Sequence, residues 1–229
     1  MNMNSHSYFY LNLYLKEGED KMPKETFKNL KEEKRKKIEK TALSEFSKYG
    51  YFNSKISRIA KKSGISVGSF YQYFDNMDDL FMQIFTIIAD RKMQYIKNEL
   101  ADNTDQSFEG KIRAMFSGGI KFALNEPDCF NVANTFKSLK STPVFENIMK
   151  YYIKSENTDF LVILIEEGKQ SGEIREDLSI ELFTSLLVNV QLSVIEYVGL
   201  FDNEEKFTEE NMKRMSDIAV DILFHGIGK

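Results

Sequence analysis

The sequence predicts an all-α fold, with a small three-helix domain near the N-terminus followed by a larger helical body. Apolar residues recur at spacings of three and four along most of the chain, which is the period of an amphipathic helix. The 229 residues include only three prolines and 12 glycines, so few positions interrupt a helix. No segment shows the strict apolar and polar alternation of a half-buried strand, and no sequence repeat is evident.

Charge is divided unevenly along the chain. The net charge is −4, but residues 24–74 contain thirteen Lys or Arg and five Glu. This segment therefore has an excess of eight positive charges, and the rest of the chain carries −12. A basic end joined to an acidic body is expected when one part binds nucleic acid and the other does not.

The cysteine content and the lengths of the apolar runs indicate where in the cell the protein is expected to act. Cys129 is the one cysteine, which excludes an intramolecular disulfide and favours a reducing cytoplasm. No run approaches the roughly 18 apolar residues that span a bilayer. Residues 1–21 lack the basic start and cleavage site of a signal peptide, and the run from Met22 resembles a natural start. We expect residues 1–21 to be a disordered arm or a non-native start, in preference to a membrane contact.

The first helix is predicted from Thr26 to Tyr49. Its apolar stripe comprises Ile38, Ala42, Phe46 and Tyr49. A basic run near its start is either an ordinary solvated face or a phosphate contact, and it comprises Lys31, Lys34, Arg35, Lys36 and Lys37. Gly50 is expected to end this helix.

Residues 54–74 predict a helix-turn-helix. Apolar residues at Ile56, Ile59 and Ala60 share one face of a short helix. Gly64 suits the left-handed position after a helix, and Ser66 is a good N-cap for a second helix from Val67 to about Tyr73. The second helix is then expected to enter a DNA major groove. The small core is predicted from Ile38, Ala42, Phe46, Ile56, Ile59, Ala60, Ile65, Phe70 and Phe74.

The same segment resembles the DNA-binding signature of TetR-family transcriptional regulators. The residues that carry the resemblance are Ile59, Ala60, Ser63, Gly64, Ile65, Ser66, Gly68, Tyr71, Tyr73 and Phe74, followed by Asp78, Asp79 and Leu80. By motif it covers about Met22 to Phe85, and the rest of the chain matches in layout only. The resemblance implies a DNA-binding domain at residues 22–85 and a helical effector-binding and dimerisation domain at residues 86–229.

The resemblance also implies a set of DNA-binding residues around the second helix. They are Lys55, Ser66, Val67, Gly68, Ser69, Tyr71, Gln72 and Tyr73. Val67 is suited to a thymine methyl and Ser69 to a base edge, whereas the tyrosine hydroxyls are expected at phosphates. Half-buried packing is the alternative for the tyrosines, and Gly68 serves either packing or close approach to DNA. Val67 and Met77 stand where many relatives have Lys, so the surrounding lysines are expected to compensate.

The body is predicted to be a series of helices. They cover about 78–100, 108–124, a segment after Pro127, 142–171, 179–201 and a last helix from Thr208. Gly118 and Gly119 interrupt one of them, either for close helix approach or for a kink. Gly172 is expected to terminate the fourth.

Dimer and effector contacts are expected in this body. In the family, the last two helices form the dimer interface, here predicted at Leu186, Val190, Val194, Tyr197, Met215, Ala219 and Ile222. Two recognition helices of a dimer reach successive major grooves of a palindromic operator. Flexible and aromatic side chains suggest a small apolar or aromatic effector, bound by Met93, Met115, Phe116, Phe122, Phe130, Phe136, Met149 and Tyr152. Plain core packing is the alternative for each, and Asn131, Asn134, Gln191 or Glu196 could supply a polar contact.

Other function classes have weaker support in the sequence. The two histidines, His6 and His225, are each near a terminus. The sequence contains neither a phosphate-binding glycine loop nor cysteine and histidine residues at the spacing of a zinc site. We therefore expect no catalytic residues, cofactor or metal. An effector-independent, chromosome-organising protein of the same build, or an activator in place of a repressor, remains open.

Overall fold

The computed structural model describes residues 23–140, 142–154, 156–199 and 208–227. Residues 1–21, for which a disordered arm or non-native start was predicted, lie outside these ranges. Every regular element in the described ranges is a helix, which confirms the all-α prediction. No helix there is long and apolar enough to cross a membrane.

The N-terminal segment forms two helices where the sequence predicted one. Helix α1 covers Glu25–Lys28 and α2 covers Glu32–Asn53, so the prediction of a single helix from Thr26 was wrong. Gly50 interrupts the helical backbone of α2 with φ 68° and ψ 174°, in agreement with its predicted role as a helix stop. The positive φ explains why glycine stands at this position.

The helix-turn-helix is present as predicted. Helix α3 covers Ile56–Ser63 and α4 covers Val67–Tyr73. Between them, Gly64 adopts the left-handed conformation with φ 77° and ψ 31°. Its amide and that of Ile65 donate to carbonyls at the end of α3, which closes the turn.

Aromatic and branched side chains fill the core of this region. Seven of the predicted core residues are buried, namely Ile38, Ala42, Phe46, Ile59, Ala60, Phe70 and Phe74, whereas Ile56 and Ile65 are partly exposed. Phe27, Leu80 and Phe81, which were not in the predicted list of core residues, complete the core. Phe27 packs on Phe74 with ring centroids 4.7 Å apart, so α1 belongs to the domain core.

A long helix, α5, follows at Met77–Asp102. Its start is fixed by side chains: Asn76 Oδ1 accepts from the Asp79 amide at 3.0 Å, and Asp79 Oδ2 accepts from the Asp75 amide at 2.8 Å. This reciprocal arrangement satisfies amides that the first turn leaves free.

The remaining helices follow the predicted order with one difference. They are α6 (Phe108–Asn125), α7 (Pro127–Asn134), a 3-10 helix (Thr135–Leu139), α8 (Pro143–Lys154), α9 (Glu156–Gln170), α10 (Ile180–Gly199) and α11 (Glu209–His225). Two helices, α8 and α9, occupy the segment that the sequence predicted as one. Gly172 follows α9 with a φ of 75°, as expected of a terminator.

The chain forms two compact units. One contains residues up to Ile87 together with Asn131–Ser155, and the other contains Ile88–Phe130 and Glu156–Lys229. Residues 131–155 were predicted to belong to the second domain, at 86–229. In the first unit, Phe136 lies between Phe85 and Phe145, with ring centroids 5.7 Å and 4.7 Å away.

The second unit has an apolar core in which α6 is central. Its buried residues include Phe108, Ile112, Phe116, Leu161, Leu164, Ile165, Phe183, Leu187 and Val220. A Cβ atom at Gly118 would lie 2.7 Å from the Cα of Ile96, so glycine allows α6 to approach α5 closely. Because α6 is continuous through Gly118 and Gly119, close approach and not a kink explains this pair.

Candidate nucleic-acid interface

One side of α4 is presented to solvent. Val67 is 44% exposed and Tyr71 is 50% exposed, and Gly68 and Gln72 are exposed as well. The other side of the helix is fully buried at Phe70. The accessible side therefore combines an apolar group, a hydroxyl and an amide, which are groups that can contact DNA bases and phosphates.

The N-terminus of α4 is held by a serine pair. Ser66 Oγ accepts a hydrogen bond from the Ser69 amide at 2.9 Å and lies 2.9 Å from Ser69 Oγ. Ser66 is therefore the N-cap that the sequence predicted. The predicted base-contacting hydroxyl of Ser69, which is partly exposed, is already oriented by Ser66.

Gly68 has free space around its Cα. A Cβ atom there would meet only Ser66 Oγ, at an ordinary contact distance of 3.7 Å. Packing within the domain therefore does not require glycine at this position. This favours the second of the two roles left open by the sequence, in which the missing side chain lets a partner come close.

Tyr73 differs from Tyr71. Its side chain is only 6% exposed, its ring packs near Phe27 at 6.0 Å between centroids, and its hydroxyl accepts from Lys34 Nζ at 3.3 Å. The sequence predicted a phosphate contact for this hydroxyl, with packing as the alternative. The burial favours packing, because the turn of the helix directs Tyr73 toward the core and Tyr71 away from it.

The C-terminal end of α4 is held by the segment that precedes α2. The Lys24 amide donates to the Tyr73 carbonyl at 3.2 Å, and Lys24 Nζ donates to the Tyr71 carbonyl at 2.9 Å. Thr26 Oγ1 donates to the Gln72 carbonyl. Three carbonyls that a helix end leaves without partners are thus satisfied. Sequence reasoning missed this contact, because it joins residues more than forty positions apart.

A buried carboxylate connects α2 to α3. Glu45 is fully buried, and its Oε1 accepts from Arg58 Nε at 2.5 Å and from the Lys55 amide at 3.2 Å. Lys62 Nζ lies 3.6 Å from Oε2, and the Arg58 guanidinium also lies 4.3 Å from the Tyr49 ring centroid. The position of Glu45 three residues after Ala42, on the apolar face of α2, was the sequence signal that could have revealed it.

These contacts divide the basic residues into two groups. Arg58 and Lys62 lie at Glu45, although Lys62 was expected to compensate for missing phosphate contacts. Lys55 and Lys61 are exposed, and so is most of the basic run of α2, where Lys36 pairs with Glu32 at 2.5 Å. Lys55 therefore remains a candidate for phosphate contact, with its position fixed through its own amide at Glu45.

The predicted dimer residues fall into exposed and buried groups. Leu186, Tyr197 and Ile222 are between 42% and 51% exposed, and the structure adds Leu182 and Ile218 to the same exposed class. Val190, Met215 and Ala219 are partly buried, with Val190 and Met215 packed on the core. Val194 is only 7% exposed, so it belongs to the interior of the subunit and not to an exposed stripe.

Most of the residues predicted to bind an effector lie in the hydrophobic core or pack against it. Phe116 and Phe122 are buried, Met115 and Phe130 pack against the core clusters, and Met93 is partly exposed. Phe136 is in the aromatic stack of the first unit. The side chains of Met149 and Tyr152 lie outside the described residues. These contacts do not identify a ligand site by themselves.

A carboxylate cluster in the second unit is already paired with an arginine. Glu109, Asp221 and His225 bring possible metal-ligand atoms within 4.8 Å of one another. Arg113 pairs with Glu109 at 2.5 Å and also with Asp221, so a cation of the chain occupies the position between the acids. The cluster is therefore an ion-pair network on the surface of α6 and α11.

Comparison with known proteins gives matches to the helix-turn-helix region and to most of the chain. Residues 38–84 match the family model of bacterial regulatory proteins, tetR family. The chain is 24% identical over 192 residues to the fatty acid metabolism regulator protein of Bacillus subtilis (strain 168), covering 81% of this chain and 91% of that protein. It is 34% identical over 71 residues to the HTH-type transcriptional regulator HbdR of Aromatoleum sp. (strain CIB), covering 31% of each chain.

Two solved structures have a similar fold. The transcriptional regulator FadR from Bacillus subtilis, in complex with stearoyl-CoA, matches with a TM-score of 0.64 and 22% identity, covering 84% of this chain and 99% of that chain. The fatty acid degradation regulator FadR from Bacillus halodurans matches with a TM-score of 0.67 and 20% identity, covering 87% and 98%. At this level of identity the likeness concerns the fold.

Proposed function

Because the chain belongs to the tetR family of bacterial regulatory proteins and is a transcriptional regulator, we propose that it is a homodimeric repressor acting in the cytoplasm. It binds a palindromic operator through α4, and an apolar effector releases it from DNA. Its role is binding and not catalysis. The observation that carries the proposal is the surface of α4, where Val67, Gly68, Tyr71 and Gln72 are exposed on a helix fixed at both ends.

Different side chains of α4 are suited to contact bases and phosphates, which supports sequence-specific DNA binding. Val67 and Ser69, on the first turn, are available for base edges, whereas Tyr71 offers its hydroxyl to a phosphate. Lys55 adds an exposed positive charge at the start of α3, and its amide is anchored at Glu45. Such a surface makes few charged contacts of its own, so the exposed lysines of α2 and α3 supply the remaining phosphate contacts.

The dimer follows from the geometry of DNA. Two recognition helices reach successive major grooves when they lie roughly 34–36 Å apart, which one chain with a single α4 cannot do. The exposed apolar side chains of α10 and α11 support a face for a second copy, since several such side chains on two neighbouring helices are more typical of an interaction surface than single exposed ones. These side chains are Leu182, Leu186, Tyr197, Ile218 and Ile222.

The effector is proposed to carry a long apolar part. The similar FadR structure from Bacillus subtilis contains stearoyl-CoA, whose acyl chain is of this kind. The effector acts by population shift: it binds better to a form whose two recognition helices do not match the operator, and couplings of about 1–3 kcal/mol are typical. Helix α5, which contributes residues to both units, is the element that transmits the change.

Selection of bound duplexes from a random library tests the DNA-binding part of the proposal. A palindrome with half-sites about one helical turn apart is expected. Sedimentation tests the dimer: Leu186→Glu is expected to give monomers with reduced operator affinity. Ile163→Glu is the matched control, because Ile163 is 57% exposed on α9, outside the proposed face. A selection that yields no palindrome, or a Leu186→Glu protein that stays dimeric, contradicts the proposal.

The effector part has a separate test. Operator release is measured by fluorescence anisotropy while acyl compounds of increasing chain length are added. Release that strengthens with chain length supports the proposed effector class. If saturating compounds bind the protein and leave operator affinity unchanged, the protein is an effector-independent DNA-binding protein.

A further inference from the structure

A lysine stands in the apolar face of α5 within the second unit. Lys92 lies four residues after Ile88, which is 3% exposed, and four residues before Ile96, which is 6% exposed. Residues four apart share one face of a helix, so the ammonium group takes a position that its neighbours fill with isoleucine. Lys92 was not among the predicted site residues, although its spacing from Ile88 and Ile96 places it on this face.

The partner of this lysine occupies an equivalent position on α10. Gln191 lies four residues after Leu187 and three before Val194, which are 4% and 7% exposed. Lys92 Nζ donates a hydrogen bond to Gln191 Oε1 at 2.9 Å. A Cβ atom at Gly119 of α6 would overlap the Gln191 amide, so the glycine provides the space in which this side chain lies. Three helices thus meet around two polar groups.

The charge of Lys92 is not balanced in the part of the chain that the structure describes. Its contact there is the neutral amide of Gln191, and no carboxylate pairs with it. Burial lowers its pKa to about 8, so most of the lysine is still a cation near neutral pH. An ammonium ion among apolar side chains is unfavourable without a counter-charge, and such a group is a candidate for ligand binding.

We propose that Lys92 and Gln191 bind the acidic group of an amphipathic effector, with Lys92 pairing with a carboxylate or phosphate and the Gln191 amide donating to the same group. This inference rests on the proposed function and specifies its ligand as an apolar chain with an anionic end. The hydrogen bonding of Lys92 supports the assignment, since its ammonium group has three N–H donors and Gln191 accepts one of them.

The surroundings suit an apolar part next to the acidic group. Tyr95 lies one turn beyond Lys92, and its ring meets that of Phe122 edge to face at 6.0 Å between centroids. Lys92 keeps part of its surface accessible, whereas Phe122 is buried. A ligand anion at Lys92 would therefore replace an unfavourable lone charge by an ion pair with hydrogen bonds, which are the conditions under which buried pairs are stable.

Matched ligands test the inference on the unaltered full-length protein. Decanoate, decanoyl-CoA and decan-1-ol share a chain of ten carbons and differ in the terminal group. Calorimetric titration is expected to show that an anionic compound binds at least about tenfold more tightly than the alcohol, as hydrogen bonds to a charged group imply. Tighter binding of decanoate identifies a carboxylate as the group at Lys92, and tighter binding of decanoyl-CoA alone identifies a phosphate.

Variants assign the effect to the pair. Lys92→Met keeps the length of the side chain and removes its charge, and we expect it to reduce binding of the anion about tenfold or more while the affinity for decan-1-ol stays the same. Lys92→Arg is expected to recover most of the loss. Lys97→Met is the control, because Lys97 is an exposed lysine of the same helix. If Lys92→Met does not fold, Gln191→Leu is used in its place and is expected to weaken binding of the anion. The comparison of ligands on the unaltered protein then still shows whether an anionic group is preferred.

The outcomes separate this inference from the proposed function. Equal binding of decanoate, decanoyl-CoA and decan-1-ol, or anion binding that Lys92→Met leaves unchanged, overturns the role of Lys92. If these compounds nevertheless release the operator, the proposed repressor function stands. Absence of any binding also overturns the inference, and the duplex selection described above then reports on DNA recognition independently.

Discussion

The Glu45 carboxylate, at the centre of α2, accepts a hydrogen bond from Arg58 Nε of α3 at 2.5 Å. Glu45 is fully buried, whereas the Arg58 side chain is 31% exposed and lies against the Tyr49 ring. The same carboxylate accepts from the Lys55 amide at the start of α3. One acidic side chain therefore fixes the start and the first turn of α3, the helix that precedes α4.

Glu45→Gln is expected to destabilise the protein by about 2–4 kcal/mol, because it leaves Arg58 and Lys62 without a counter-charge. Urea unfolding measures the change in the free energy of unfolding. Glu33→Gln is the control on the same helix, since Glu33 is exposed, and its effect should stay within about 0.5 kcal/mol. Equal effects of the two substitutions would remove Glu45 from its assigned role.

Gly68→Ala should separate folding from DNA binding. The free protein is expected to be as stable as the original or up to about 1 kcal/mol more stable, because alanine favours a helix and the added Cβ meets only Ser66 Oγ. Operator binding should weaken by about 1–3 kcal/mol if the DNA lies against this position. Unchanged operator affinity, measured by fluorescence anisotropy, would show that DNA does not approach Gly68.

Gly118→Ala provides the contrasting case. Its Cβ would lie 2.7 Å from the Ile96 backbone, so we expect the fold to lose about 1–3 kcal/mol of stability. The two glycines thus differ in the direction of their effect on unfolding.

Tyr71→Phe and Tyr73→Phe are expected to act on different properties. Loss of the exposed Tyr71 hydroxyl should weaken binding to all duplexes by about 0.5–1.5 kcal/mol, since phosphate contacts carry no sequence information. Tyr73→Phe removes the acceptor of Lys34, so a small loss of stability is expected with less effect on DNA affinity. A change in base preference caused by Tyr71→Phe would instead indicate a contact to a base.

Val67→Lys tests the charge at the first turn of α4. Val67 is 44% exposed, so an ammonium group there can reach a phosphate or a guanine. Operator affinity should rise at low salt, and the slope of log K against log salt should steepen by about one. A slope that does not change would indicate that Val67 lies away from DNA.

The lowered pKa of Lys92 predicts that the free energy of unfolding depends on pH. Burial lowers its pKa from 10.5 to about 8, so between these values the unfolded chain binds more protons at this site than the folded one. The contribution of Lys92 to the free energy of unfolding is therefore lowest below pH 8, and it increases as the pH rises toward 10.5. Lys92→Met should raise the free energy of unfolding by up to about 2–3 kcal/mol at neutral pH, and the gain should disappear near pH 10.5.

Urea unfolding at several pH values measures this difference. Lys97→Met should show no such trend, because Lys97 is exposed. A gain for Lys92→Met that is the same at every pH would mean that the charge of Lys92 is not the source of the cost.

Local sequence signals were sufficient for the helix-turn-helix. The roles of Gly64 as the left-handed residue after α3 and of Ser66 as the N-cap of α4 depend on backbone geometry within a few residues. The apolar spacing that predicts α3 also lies within one short segment. The break between α1 and α2 was not predictable from periodicity, because Phe27 takes its place through contacts with Phe74, far along the chain. Tertiary packing decides such cases against local propensity.

The site residues follow the same distinction. Ser66, Val67 and Tyr71 could be identified from the motif, whereas the burial of Tyr73 depends on Phe27 and Lys34 from the segment before it. Lys92 and Gln191 lie 99 residues apart, so only the folded chain brings them together. Charged residues on an apolar helical face are the sequence signal that identifies such pairs in advance.

The hydrogen bonds from Lys24 and Thr26 to the last carbonyls of α4 have a practical consequence for protein engineering. A chimera that transfers residues 54–74 into another regulator would leave these donors behind, and the transplanted helix would lose the partners of its final turn. The smallest transferable specificity cassette therefore begins at Lys24. Exchange of operator preference between relatives should be attempted with that boundary.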